Sequence, residues 1–244
     1  MIEVIEIPKI KNSVVFISGF SGTGNVGLLS AKILEEKLKA KLIAKIYSFD
    51  FPPISIINDK EVELPCVKIF NKNNILIAYS EFQPNLSIFQ YLISKELIRF
   101  TENFKIKYFI SLGAMILDYL NETPEAYFYT NSTELEKILL ELKIKSNQKF
   151  STIVGCNGLN YAFSVKNNYK SALILVDTYR FFEYDYNGAK KLVEILCKLL
   201  NISIDLSDIN KLIEDQKREY KELLKKFEVR KSEREEKEKL SYIG

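Results

Sequence analysis

An α/β fold, with a mostly parallel open sheet flanked by helices and a long helix appended at the C-terminal end, is predicted by three observations. Short, almost wholly apolar runs recur along the chain, as buried parallel strands require. Segments with helical spacing of apolar residues alternate with them in a βαβ rhythm. After Asp205 the apolar spacing settles into steps of three and four, which marks a heptad seam.

Val14-Val15-Phe16-Ile17 is the first such run, followed at once by glycines and then by Leu28, Leu29, Ile33, Leu34 and Leu38 on one helical face. Residues 42–47 and 75–79 read as further strands. Between them, Pro52-Pro53 and Asn58-Asp59-Lys60 punctuate a small hairpin or irregular excursion. Residues 85–104 form a predicted helix with Leu86, Phe89, Leu92, Ile93, Leu97 and Phe100 on its inner face, and 108–112 returns as a strand ending at Gly113. Thr133 and Glu136 make a capping box ahead of Leu135, Ile138, Leu139 and Leu142. Residues 156–168 read as helix, 172–176 as strand, and 188–200 as helix with a Leu192, Leu196, Leu199 stripe.

Residues 1–205 are thus expected to form one α/β domain, and 206–244 a C-terminal helix and charged tail. Leu206, Ile209, Ile213, Gln216, Tyr220, Leu223 and Phe227 line the seam over roughly three heptads, with Gln216 the one polar member, a type of residue that fixes register. This coiled-coil-like helix either packs on its own body or pairs with another subunit or partner. From Arg230 to Lys239 the charges alternate in sign, as on a solvated face. Apolar groups return in Leu240-Ser241-Tyr242-Ile243-Gly244, so Tyr242 and Ile243 join the seam as candidate partner contacts.

Composition narrows the function classes. Hydrophobic residues make up 47% and charged residues 27%, ordinary globular usage. The 35 basic and 32 acidic side chains nearly cancel to +3, so nucleic acid is not expected as a partner. No apolar run reaches the ~20 residues of a membrane span, and no secretory signal opens the chain, so a cytoplasmic protein is expected. Cys66, Cys156 and Cys197 are scattered and odd in number, which suggests reduced thiols and neither a disulfide framework nor a zinc site. The chain has no histidine, which removes the usual general base, every Ser-His or Cys-His pair and the commonest zinc ligand. No catalytic constellation is recognisable, and neither an enzyme nor a bound cofactor or metal is expected.

One motif points the other way. Gly22-Thr23-Gly24-Asn25-Val26-Gly27 matches the GxGxxG pattern between a strand and a helix, and Asp50 follows at a distance suited to a ribose-binding carboxylate. In that reading backbone amides and a helix N-terminus would face a pyrophosphate. Asn25, Asp50, Asn157 and Asp177 would then line a pocket at the carboxyl ends of the strands. Against this, Phe51-Pro52-Pro53 is an unusual continuation of a cofactor pocket, and no Lys-Ser or Lys-Thr follows the glycines for a phosphate loop. The structural alternative is a tight turn, with Asn25 and Asn157 as turn caps and Asp177 as a strand-end residue.

Gly19-Phe20-Ser21-Gly22-Thr23-Gly24-Asn25-Val26-Gly27 resembles the glycine signature of the proteasome assembly chaperone 2 family. Tyr47-Ser48-Phe49-Asp50-Phe51-Pro52-Pro53, Gly155-Cys156-Asn157-Gly158-Leu159, Asn187-Gly188-Ala189-Lys190 and Ile204-Asp205-Leu206 are similar to later segments of that family, in family order. The resemblance implies a phosphorylase-like open sheet without that fold's catalytic residues. It also implies homo-oligomers, with proteasome α subunits or a related assembly chaperone as partners. Some such chaperones dock through a C-terminal hydrophobic-Tyr-any ending. Here Tyr242 stands third from the end after Ser241, which leaves either a shifted register or a member without that docking. A purely structural homo-oligomer and a small-molecule-binding protein or enzyme built on the glycine loop are the competing readings.

Overall fold

A computed structural model describes residues 1–59, 61–147 and 152–222. Two compact units divide the chain, Met1–Ile204 and Asp205–Gly244.

The first unit is built on a mixed sheet in the order β1 (Ile2–Val4), β3 (Lys41–Tyr47), β6 (Cys66–Lys72), β7 (Ile75–Ser80), β2 (Val14–Phe20), β8 (Ile106–Leu117), β11 (Ser171–Tyr179), β9 (Ala126–Thr130) and β10 (Lys145–Ser146). Its centre, β7-β2-β8-β11, is parallel and almost wholly buried, which is why those strands read as uninterrupted apolar runs. Antiparallel pairings extend it on both sides, through β6, β3 and β1 on one flank and β9 on the other. The sheet is therefore more mixed than βαβ alternation suggests. The difference lies in β6 and β9: β6 joins β7 through a tight turn at Asn73, whose φ of 52° is left-handed.

Helices cover both faces. α1 (Val26–Leu38), α3 (Thr133–Glu141) and α5 (Tyr186–Leu200) close one core through Leu34, Leu139 and Leu196. α2 (Ser87–Thr101) and α4 (Cys156–Lys166) close the other through Ile93, Leu97, Phe100 and Cys156. The excursion after β3 contains a small hairpin, β4 (Ile56–Asn58) with β5 (Glu61–Glu63).

Four local expectations change. β8 runs on through Gly113 to Leu117, because β11 offers a partner for each added residue, pairing Leu175 with Gly113 and Tyr179 with Leu117. Asp177 consequently lies inside a strand rather than at its end. α3 is capped by Ser132, whose Oγ accepts from the Leu135 amide at 3.3 Å, with Thr133 as the first helical residue. On α2, Leu86 and Leu92 face outward, and the inner face consists of Ile93, Leu97, Ile98 and Phe100.

The second unit contains a helix over residues 207–222. Ile209, Ile213, Gln216 and Tyr220 lie on it and Leu206 just precedes it; Leu223, Phe227, Tyr242 and Ile243 lie outside the described residues.

Candidate functional site

Parallel strands deliver their carboxyl ends to one edge of a sheet, where open α/β proteins usually place their function. The glycine loop occupies that edge after β2. Residues Thr23–Asn25 form one turn of 3-10 helix before α1, with Gly24 and Asn25 both at positive φ, 62° and 46°. Most of the glycines serve close packing. A Cβ on Gly24 would strike Thr178 Oγ1, one on Gly27 would sit 2.6 Å from the Leu112 carbonyl oxygen, and one on Gly19 would strike the Gly27 carbonyl. α1 is thus drawn tightly against β2 and β8, and the loop against β11. Gly22 alone faces open space, with nothing nearer than Asn157 Nδ2 at 4.0 Å.

The polar groups around the loop are used within the protein. Asn25 Nδ2 donates to the Glu183 carbonyl at 3.0 Å, and the Asp185 amide donates to the Gly24 carbonyl at 2.7 Å. Asn157 reads the backbone of Phe20 twice: its Oδ1 accepts from the Phe20 amide at 2.9 Å and its Nδ2 donates to the Phe20 carbonyl at 3.1 Å. Gln83, which sequence reasoning passed over, donates to the Ser21 carbonyl and accepts from the Cys156 amide at 2.8 Å. Asp185, also passed over, caps α5 by accepting from the Gly188 amide at 2.8 Å and from Thr178 Oγ1 at 2.8 Å. An Asp two residues before an Asn-Gly pair at a helix start was the available signal for it.

Asp50 is not with the glycine loop. In the strand order β6 and β7 stand between β3 and β2, so at ~4.8 Å per strand its position is on the order of 14 Å away. Its Oδ2 accepts from the Leu86 amide at 2.6 Å, at the start of α2. Asp177 lies on the other side, two strands from β2, and is buried. Its Oδ2 accepts from Asn121 Nδ2 at 3.2 Å and the Glu125 amide at 3.3 Å, while its Oδ1 has no partner. Asp50, Asn157 and Asp177 therefore do not converge on one pocket.

Burial pushes the carboxyls of Asp177 and Asp185 above the usual range, against the hydrogen bonds that each accepts. It also pushes the Cys66 thiol up to about 11 and the Cys156 thiol up to about 12, which makes both poor nucleophiles near neutrality. Among the described residues no group of three or more His, Cys, Asp or Glu is placed to hold a metal ion. No helix among them is long and apolar enough to cross a membrane.

The profile of one family, PAC2, matches residues 16–224, a span that contains the glycine loop, both helix layers and the helix after Asp205. The chain belongs to the PAC2 family. Among solved structures, this PAC2 chain is similar to Pyrococcus furiosus PbaA, described as an archaeal homolog of proteasome-assembly chaperone, at 28% identity and a TM-score of 0.77, over 96% of this chain and 97% of that one. It shares its fold with Pyrococcus furiosus PbaB, described as an archaeal proteasome activator, at 20% identity and a TM-score of 0.83, over 91% and 98% of the two chains. It is also 27% identical over 230 residues to the uncharacterised protein MJ1210 of Methanocaldococcus jannaschii, covering 93% of this chain and 88% of the other. In this PAC2 member the glycine loop makes its close approaches to its own strands and helices.

Proposed function

We propose that this PAC2 protein is a non-enzymatic, proteasome-assembly-chaperone-like scaffold that works in the cytoplasm as a homo-oligomer and takes proteasome α subunits as clients. The observation that carries this reading is the use of the polar groups around the glycine loop in internal hydrogen bonds, which favours protein contact as the function served there. Exposed Phe49, Val154 and Phe181 at the same edge support it. The likeness to PbaA supports proteasome-related clients. Among the described seam positions Ile209 and Ile213 are buried, so the contact we assign to a client or a related chaperone runs through Leu206, Gln216 and Tyr220, with Leu223, Phe227, Tyr242 and Ile243 as further candidates from the sequence.

Native electrophoresis and co-purification with the α subunits of the same organism test this. A complex is expected at micromolar concentrations, and its absence there sinks the assignment. A second reading is favoured by the open space beside Gly22 and the unpartnered Asp177 Oδ1: a small molecule bound at the carboxyl edge. Titration calorimetry with dinucleotides and purine nucleosides separates the two, since saturable binding tighter than about millimolar belongs only to the second.

A further inference from the structure

The distribution of charged residues along the chain picks out one surface. Residues 82–94 and 152–165 contain no Asp, Glu, Lys or Arg, in a chain where 27% of residues are charged. The fold brings these two stretches together. They form the N-terminal half of α2 and all of α4 but its last residue, with the loops that precede them, and the helices pack side by side on one face of the sheet. Tyr91 of α2 meets Phe163 of α4 edge to face at 6.0 Å, and Gln83 holds the Cys156 amide. Asp50, accepting from the Leu86 amide, brings Phe49 to the same corner.

The side chains left outward there are large and apolar. Leu86, Ile88, Tyr91 and Leu92 are 56%, 60%, 52% and 47% exposed, and Phe49 and Val154 are 96% and 87% exposed. Ile88, Tyr91 and Leu92 stand at i, i+3 and i+4, so α2 has a second apolar stripe opposite the Ile93-Leu97-Phe100 face that it buries. The six side chains expose roughly 700–800 Å², more than the few hundred usual for an apolar patch on a monomer and about one partner's share of a standard interface.

We infer that this uncharged α2–α4 corner is the contact by which the chain binds a second copy of itself, an inference that rests on the oligomeric reading above. In a two-fold self-contact the groups at the axis meet their own counterparts, so charge at the centre of the patch repels and an uncharged centre does not. Depletion of charge at the centre, aromatic enrichment and an apolar character are what permanent homomeric contacts require. Most of the patch also lies on helices anchored in the core by Ile93, Leu97 and Cys156, so their backbone is already ordered before contact.

Light scattering and sedimentation of the full chain at about 10 µM decide the matter. Wild type is expected as a multiple of its 28.3 kDa mass, and the Ile88→Lys, Leu92→Lys double variant at half that multiple or less. Tyr91→Ser, a milder change on the same stripe, should weaken the assembly so that its mass falls on dilution. Phe181→Lys, at a position still more exposed but after β11, should leave the mass unchanged. Circular dichroism and a cooperative melt establish that each variant is folded. An oligomeric wild type with an unchanged mass in both α2 variants overturns the assignment of this face while leaving the oligomeric reading intact. A monomeric wild type overturns both. Variants that keep the wild-type mass but no longer capture α subunits overturn it in favour of the client as occupant.

Discussion

Asp177 has a cost that its surroundings do not offset. Its residue is 3% exposed, one carboxylate oxygen is satisfied by Asn121 and the Glu125 amide, and the other meets no partner. Burial of the charged form raises its folded pKa above the unfolded value. Protonation therefore favours the fold: the carboxylate weakens stability above the folded pKa, and the loss is removed as pH falls through it. Asp177→Asn retains an oxygen for the two accepted bonds and removes the charge. The variant should melt about 2–4 °C higher at pH 7, equivalent to ~1 kcal/mol, with the gain shrinking toward pH 4. A lower midpoint at pH 7 would show that the ionised form has a use within the fold. Asp185 is buried to a similar degree, but both its oxygens accept, from the Gly188 amide and from Thr178, so the same change there keeps the cap and replaces the acceptor that Thr178 uses, which offsets the gain.

The hairpin β4–β5 is tied to the sheet by one carboxylate. Glu63 accepts from Lys45 at 2.9 Å and Lys68 at 2.5 Å, over a groove of about 750 Å³ bounded by Tyr47, Phe51, Ile54 and Leu64. Lys68 first and Lys45 second hold the Glu63 carboxyl below its usual range. That stabilisation is present above the unfolded carboxylate pKa and is lost as pH falls through the folded one. Glu63→Gln should speed hydrogen exchange at the Ile57 and Val62 amides several-fold while changing global stability by at most ~1 kcal/mol, since the pair is part-exposed. Unchanged exchange would mean that apolar contacts alone hold the hairpin. The same flank shows where sequence reading stops. β2, β7, β8 and β11 are legible because burial on both faces leaves only apolar residues, whereas β6 turns Lys68 toward Glu63 and so breaks the run. β9 is five residues of mostly half-buried aromatic character, too short for its period to speak. On α2 both faces are apolar, and no spacing rule separates Leu92, which is exposed, from Ile93, which is core. Asp50 illustrates the limit for the site. Its distance from the glycines in sequence suits a ribose ligand, but two inserted strands separate them in space.

The division after Ile204 allows self-association and client capture to be assigned to different parts of the molecule. Every strand described, α1 to α5 and both buried cores belong to Met1–Ile204, so the first unit has what it needs to fold alone. The α2–α4 corner lies wholly within it, and the heptad seam lies wholly after it. A chain ending at Ile204 should therefore keep the oligomeric multiple of the full chain in light scattering, melt cooperatively, and lose capture of proteasome α subunits. An intact melt with a fall to monomer would instead make the seam the self-contact, as heptad spacing by itself would permit. Retained capture by the shortened chain would move the client to the sheet edge, where Phe181 and Tyr119 remain exposed. The three results separate because the α2–α4 corner and the heptad seam share no residue, so each can be lost while the other is kept.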